Sequence, residues 1–231
     1  MLTQSFPVPT RSLLVLLACA GAAACTGQPP AATPSVPVGE YPGIDIPVST
    51  RVYEIDPAQT RVTLLVHRSG PLARLGHNHA IVSGTERGAI WVGATPAQSG
   101  FEIHVPVASL VVDDPEARAA AGADFPGAVP DDARAGTTAN MLRAEVLDAA
   151  HYPDVVVRAT GATGTWERAV VHATAHVKDL QRDYDVPVTL TVADKAVTAT
   201  GAFQIRQTDF GITPFSVAGG AIQVADVVDV Q

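Results

Sequence analysis

Cysteine is nearly absent from this chain, and its placement matters as much as its scarcity. The 231 residues hold two, Cys19 and Cys25. Beyond position 25 there is no thiol, so the folded part has no disulfide and no thiol chemistry. Charge is sparse at 16%, and basic charge is sparser: 15 Lys+Arg face 23 Asp+Glu, a net charge of -8. No run of five basic residues occurs, which argues against nucleic acid as a partner. Large aromatics are few, with 6 Phe, 4 Tyr and 2 Trp. A core so short of them either packs tightly with Val and Ala or leaves a lumen. No apolar run of membrane type occurs beyond the N-terminus, which excludes a multi-span membrane protein. Also absent are a Gly-x-Ser-x-Gly elbow, a phosphate-binding Gly-rich loop with Lys, and a dinucleotide fingerprint. Helix breakers are plentiful. The 19 Gly and 18 Pro exclude a helical bundle, and 47% apolar residues exclude disorder throughout. The length suits one all-β domain or at most two small ones.

The N-terminus reads as an export signal over residues 1–24. Arg11 is its only charge. An apolar stretch from Leu13 to Ala18 follows, then the small residues Gly21 to Ala24. The stretch is too short to span a bilayer comfortably. Ala23-Ala24-Cys25 resembles a bacterial lipobox, which makes Cys25 the candidate lipidation site. Leu17-Ala18-Cys19 is a competing site, but it leaves a very short apolar core. The alternative is an ordinary signal cut after Ala24, with Cys25 a bystander. From Thr26 to about Thr50 a Pro-rich linker extends, semi-rigid by composition. The expectation is a domain at residues 51–231 held off a membrane by a lipid anchor, in the periplasm of a bacterial envelope. Thr26, where an inner-membrane retention signal would be Asp, points to the outer membrane.

From Arg51 onward the hydrophobic period is two. Val62, Leu64 and Val66 alternate with Arg61, Thr63 and Leu65; Phe101, Ile103 and Val105 with Glu102, His104 and Pro106. The same pattern runs through Val171–Val177, Val186–Val192 and Val197–Ile205. It predicts half-buried antiparallel strands, one face apolar and one wet. The Ala-rich stretch Asp114–Ala150 breaks the pattern. Helices are expected at Glu116–Ala121 and Ala139–Ala149, with loop between them and a stop at His151-Tyr152-Pro153. The fold class is therefore all-β with one helical excursion, a sheet closed on itself.

Three segments carry a resemblance to a known family. Tyr53-Glu54-Ile55-Asp56-Pro57 followed by Thr60–Val66 resembles the opening of the YceI-like family. Val146-Leu147-Asp148-Ala149 and Tyr152-Pro153-Asp154-Val155 resemble its helix-to-strand junction. Gly201–Ile205 and Thr208–Ile212 resemble its end. The resemblance covers roughly Val52 to Val228 in order. It implies an eight-stranded antiparallel lipocalin-like barrel with a long apolar lumen, in an exported, non-enzymatic protein that binds polyisoprenoid chains and requires no cofactor. Two places depart from the family pattern: Lys178–Pro187, and Leu75-Gly76-His77-Asn78-His79-Ala80-Ile81.

An eight-stranded barrel is just wide enough to be filled by side chains or to hold one slender ligand. The inward, lipid-contacting candidates are Leu64, Val66, Phe101, Ile103, Val105, Val155, Val157, Leu190, Phe203 and Ile205. For any single one, plain core is the readier account, because buried Val and Ile are what cores contain. The cargo class is an apolar lipid of polyisoprenoid or quinone type. The competing reading lies in His77 and His79. Two apart on a strand, their Cα atoms would be roughly 7 Å apart on one face, and a metal ion would need a third ligand from His104, His151 or His67. A polar turn is the plainer account of Gly76-His77-Asn78-His79. A third reading is a structural envelope protein with a filled barrel. Asp113-Asp114 and Asp131-Asp132 read as solvated loop charge, and Arg206 with Asp209 as a turn or rim ion pair.

Overall fold

The computed structural model describes residue 46, residues 50–193 and residues 195–231. The signal, Cys25 and most of the linker expected from the sequence lie outside these residues. Alternation becomes strand as expected. Seven strands pair antiparallel in one curled sheet: β1 (Arg51–Glu54), β4 (Arg87–Val92), β5 (Gly100–Pro106), β7 (Asp154–Thr165), β8 (Arg168–Val177), β9 (Leu180–Val192) and β10 (Val197–Gly201), in that spatial order. The second sheet runs β11 (Phe203–Arg206), β13 (Ile222–Val230), β2 (Val62–Ser69), β3 (His79–Ser83) and β6 (Val111–Val112), with β12 (Ser216–Val217) beside β13. The lipocalin-like barrel is thus built as two half-barrels. The chain passes from one to the other at Gly201-Ala202-Phe203. A side chain at Gly201 would bring a Cβ within 3.0 Å of the Pro187 carbonyl oxygen, so glycine lets the strand hug its neighbour as it leaves.

The helical excursion is displaced from its expected position. The first helix, α1 (Pro115–Ala121), forms where composition put it. Pro115 occupies its first turn, and the Asp114 carboxylate accepts a hydrogen bond from the Ala117 N–H at 3.0 Å. The second, α2, spans Asp131–Leu142 rather than Ala139–Ala149. Pro130 precedes it, and Asp131 and Asp132 fill its first turn, where carboxylates suit the positive end of the helix. Those two acids begin a helix; they are not loop residues. Arg143 turns extended at φ -72° and ψ 166°, which stops the helix ten residues before Pro153.

The two helices do different work. The outer faces of β2 and β3 are not wet, as alternation implied for Leu65. Leu65, Ala80 and Phe125 form a small buried cluster against Ala117 and Ala121 of α1. A helix laid over the sheet makes both faces apolar there. Met141 of α2 instead joins Ile81, Val105, Leu110 and Val112 in an interior cluster. Arg206 lies 3.8 Å from Asp226 of β13, so its partner is not Asp209. Among the described residues, no helix is long and apolar enough to cross a membrane.

Candidate functional site

Strand parity builds the interior. Directly paired residues share a face. Leu64 pairs with Ile81, Val66 with His79, Ile103 with Val157, and Val157 with Ala175. These residues look inward together and line one cavity of about 500 Å³. That lies within the size of ligand cavities, roughly 300–1,000 Å³. The barrel is therefore not filled by its own side chains. On β8, Val171, Ala173, Ala175 and Val177 face inward, and the small alanines leave room that larger side chains would take.

Of the ten inward candidates, Leu64, Val66, Phe101, Ile103, Val105, Val155, Val157, Phe203 and Ile205 line this cavity. Leu190 does not. It packs half-buried against the Ala159, Ala169 and Val171 cluster. Sequence reasoning missed a second set. Met141 comes from α2, while Phe210, Ile212 and Phe215 come from a 3-10 turn and the segment after it. Such segments have no period of two, so nothing in the pattern marks them as inward.

The wall is apolar except for Thr60, Arg61, His79, Thr137, Asn140, Tyr184, Gln207 and Gln231. Two of these stand out. The Tyr184 hydroxyl is buried and has no hydrogen-bond partner. Its pKa is pushed up, first by burial and then by the negative charge of Asp209. His79 is held differently. Its Nδ1 lies 2.7 Å from Asp113 Oδ2. The second oxygen, Oδ1, accepts from Arg118 Nη1 at 2.6 Å and from the Ala80 N–H at 3.1 Å. Asp113 is thus fully buried and paired, not the solvated loop charge its neighbourhood suggested. Burial pushes its carboxyl up, but the bonds from His79, Arg118 and the Ala80 N–H outweigh it and hold the pKa below the usual value.

The metal reading loses its ligands to other partners. The His77 and His79 rings are 6.2 Å apart, centroid to centroid. His104 is bonded to Glu102 at 2.6 Å, His151 to Asp148 at 2.8 Å and His67 to Asp229 at 2.9 Å. Among the described residues, no three His, Cys, Asp or Glu side chains gather as a metal ion would need. The Gly76–His79 segment is instead part of a polar scaffold. Asn78 Oδ1 accepts from the Arg68 N–H, and its Nδ2 donates to the Asp124 carbonyl.

Comparison with known proteins agrees with this architecture. The family model described as a YceI-like domain matches residues 53–231. BcnA of Burkholderia cenocepacia has a similar structure, with TM-score 0.54 and 16% identity over 76% of this chain and 95% of its own. That likeness shows the shared fold. A polyisoprenoid binding domain from Saccharophagus degradans, implicated in plant cell wall breakdown, gives TM-score 0.49 and 10% identity, over 77% of this chain and 92% of its own. No curated protein matches.

Proposed function

The chain belongs to the YceI-like domain family, and from that premise we propose that it is a lipid-binding protein without enzymatic activity, holding a long apolar lipid of polyisoprenoid or quinone type in its barrel. The observation that carries this reading is the cavity of about 500 Å³, walled by Val, Ile, Leu, Ala, Phe and Met with few polar groups. Burial of apolar surface at about 25 cal/mol per Å² supplies affinity without specific polar contacts. Such a wall suits a flexible hydrocarbon chain and suits a polar metabolite poorly. In this reading the N-terminal signal and Cys25 deliver the domain to the bacterial envelope as a lipoprotein, on the periplasmic side of the outer membrane. The Pro-rich linker gives it reach.

Native mass spectrometry of the full chain, followed by denaturation of the same sample, tests the proposal. The expected result is an extra mass of several hundred daltons that is lost on denaturation and extracts into organic solvent. A bare chain mass from every preparation, with no uptake of added prenyl lipid, would overturn it.

A further inference from the structure

We propose that His79 is a head-group site inside the cavity: its Nε2 accepts a hydrogen bond from a hydroxyl on the cargo, so the cargo is a hydroxyl-bearing amphiphile rather than a bare hydrocarbon. The inference rests on the lipid-binding reading and adds to it the chemistry of the ligand's polar end.

Register places the ring. His79 pairs directly with Val66 and stands two residues before Ile81, and all three line the cavity. An imidazole is an uneconomical choice for a wall of Val, Ile and Phe unless both nitrogens are used. Nδ1 is used. It meets Asp113 Oδ2 at 2.7 Å, and the carboxylate fixes which nitrogen carries the proton. The carboxylate itself cannot turn away. Its other oxygen takes Arg118 and the Ala80 N–H, and its own backbone N–H donates to the Ala80 carbonyl at 2.7 Å. Asp113 adopts φ 55° to do this, a conformation uncommon outside glycine but tolerated by Asp. Arg118 is clamped in turn by the carbonyls of Asn78, Gly127 and Pro126.

Donor and acceptor roles then set the direction of the free bond. A carboxylate oxygen only accepts, so Nδ1 donates to Asp113 and carries the proton of the uncharged ring. Nε2 is left as a lone-pair acceptor. A ligand O–H gives that acceptor a donor on a wall that is otherwise mostly apolar. A ketone or ether end would offer only a second acceptor, so of the two proposed cargo types this site favours a hydroxyl-ended polyisoprenoid over a quinone.

Two probes that differ only at the hydroxyl test this: farnesol and its methyl ether, titrated into the delipidated full-length chain. The wild type should bind farnesol about three- to tenfold more tightly, the worth of one hydrogen bond. His79→Leu should bind both probes equally, near the wild-type affinity for the ether. Asp113→Asn gives a second arm. If its Oδ1 keeps Arg118 and Ala80, its amide N–H₂ faces His79 Nδ1 and moves the imidazole proton to Nε2. The ether should then gain affinity and the farnesol preference should vanish. Equal binding of the two probes by the wild type overturns the head-group site while leaving the lipid reading intact. A full preference in His79→Leu does the same. Binding of neither probe by the wild type overturns both.

Discussion

Among the described residues the same side-chain trio occurs twice. In one place His79 and Arg118 hold the carboxylate of Asp113; in the other His104 and Arg158 hold that of Glu102, at 2.6 and 2.7 Å. Both carboxylates are about fully buried. Their surroundings differ by strand parity. Phe101, Ile103 and Val105 of β5 look into the cavity, so Glu102 and His104 between them look out. His79 looks in. The outer trio lies on one sheet, with Arg158 on β7 directly opposite Glu102. The inner trio is assembled from β3, the segment after β6, and α1. One chemistry therefore serves two purposes: a clamp between neighbouring strands outside, and a polar anchor beside an apolar cavity inside.

Breaking the cationic arm should separate the two most sharply. Arg118 is 6% exposed and Arg158 is 33% exposed. Arg118→Ala strands a carboxylate that water cannot reach, and should cost about 3–5 kcal/mol of stability. Arg158→Ala lets water replace the lost partner, and should cost only about 1–2 kcal/mol. Urea denaturation midpoints measure both, and equal losses would erase the distinction.

A smaller effect should follow acidification. The folded-state pKa of Asp113 is lowered, so its bonds stabilise the fold above the ordinary carboxylate value and are lost as pH falls through the lowered one. The stability gap between wild type and Asp113→Asn should be widest near neutral pH and should close below about pH 4. Denaturation midpoints from pH 7 to pH 2.5 would show it; a gap that stays constant would mean that the carboxylate's charge contributes nothing.

The smallest effect should come from His104→Ala. Glu102 keeps Arg158, and the vacated site opens outward, so stability should fall by ~1 kcal/mol or less. The preference for farnesol over its methyl ether should not move. A change in that preference would mean that the two trios communicate through β5.

Much of the barrel was legible in the sequence because alternation is local. Each inward residue on β2, β5 and β7 announces itself by its neighbours two positions away. The same rule misreads Leu65, since an outward position becomes buried only when a helix from elsewhere lies on it. It also passes over Asp113. Nothing local distinguishes that residue from Asp114 beside it, yet one is buried beneath His79 and the other caps α1. The second helix was misplaced because Ala-rich composition measures propensity, whereas Pro130 and the paired acids after it mark the actual start.

The amino-acid sequence by itself determined the β class, the inward faces of the long strands, the family likeness and the lack of thiols in the folded part. All of these rest on residue type and short-range period. The tertiary structure decided whether the interior is full or open, which histidine meets it, and which carboxylate that histidine meets. Those outcomes depend on distances between segments far apart in the chain. His79 and Asp113 stand 34 residues apart, and only the pairing of β3 with β6 brings them within a hydrogen bond.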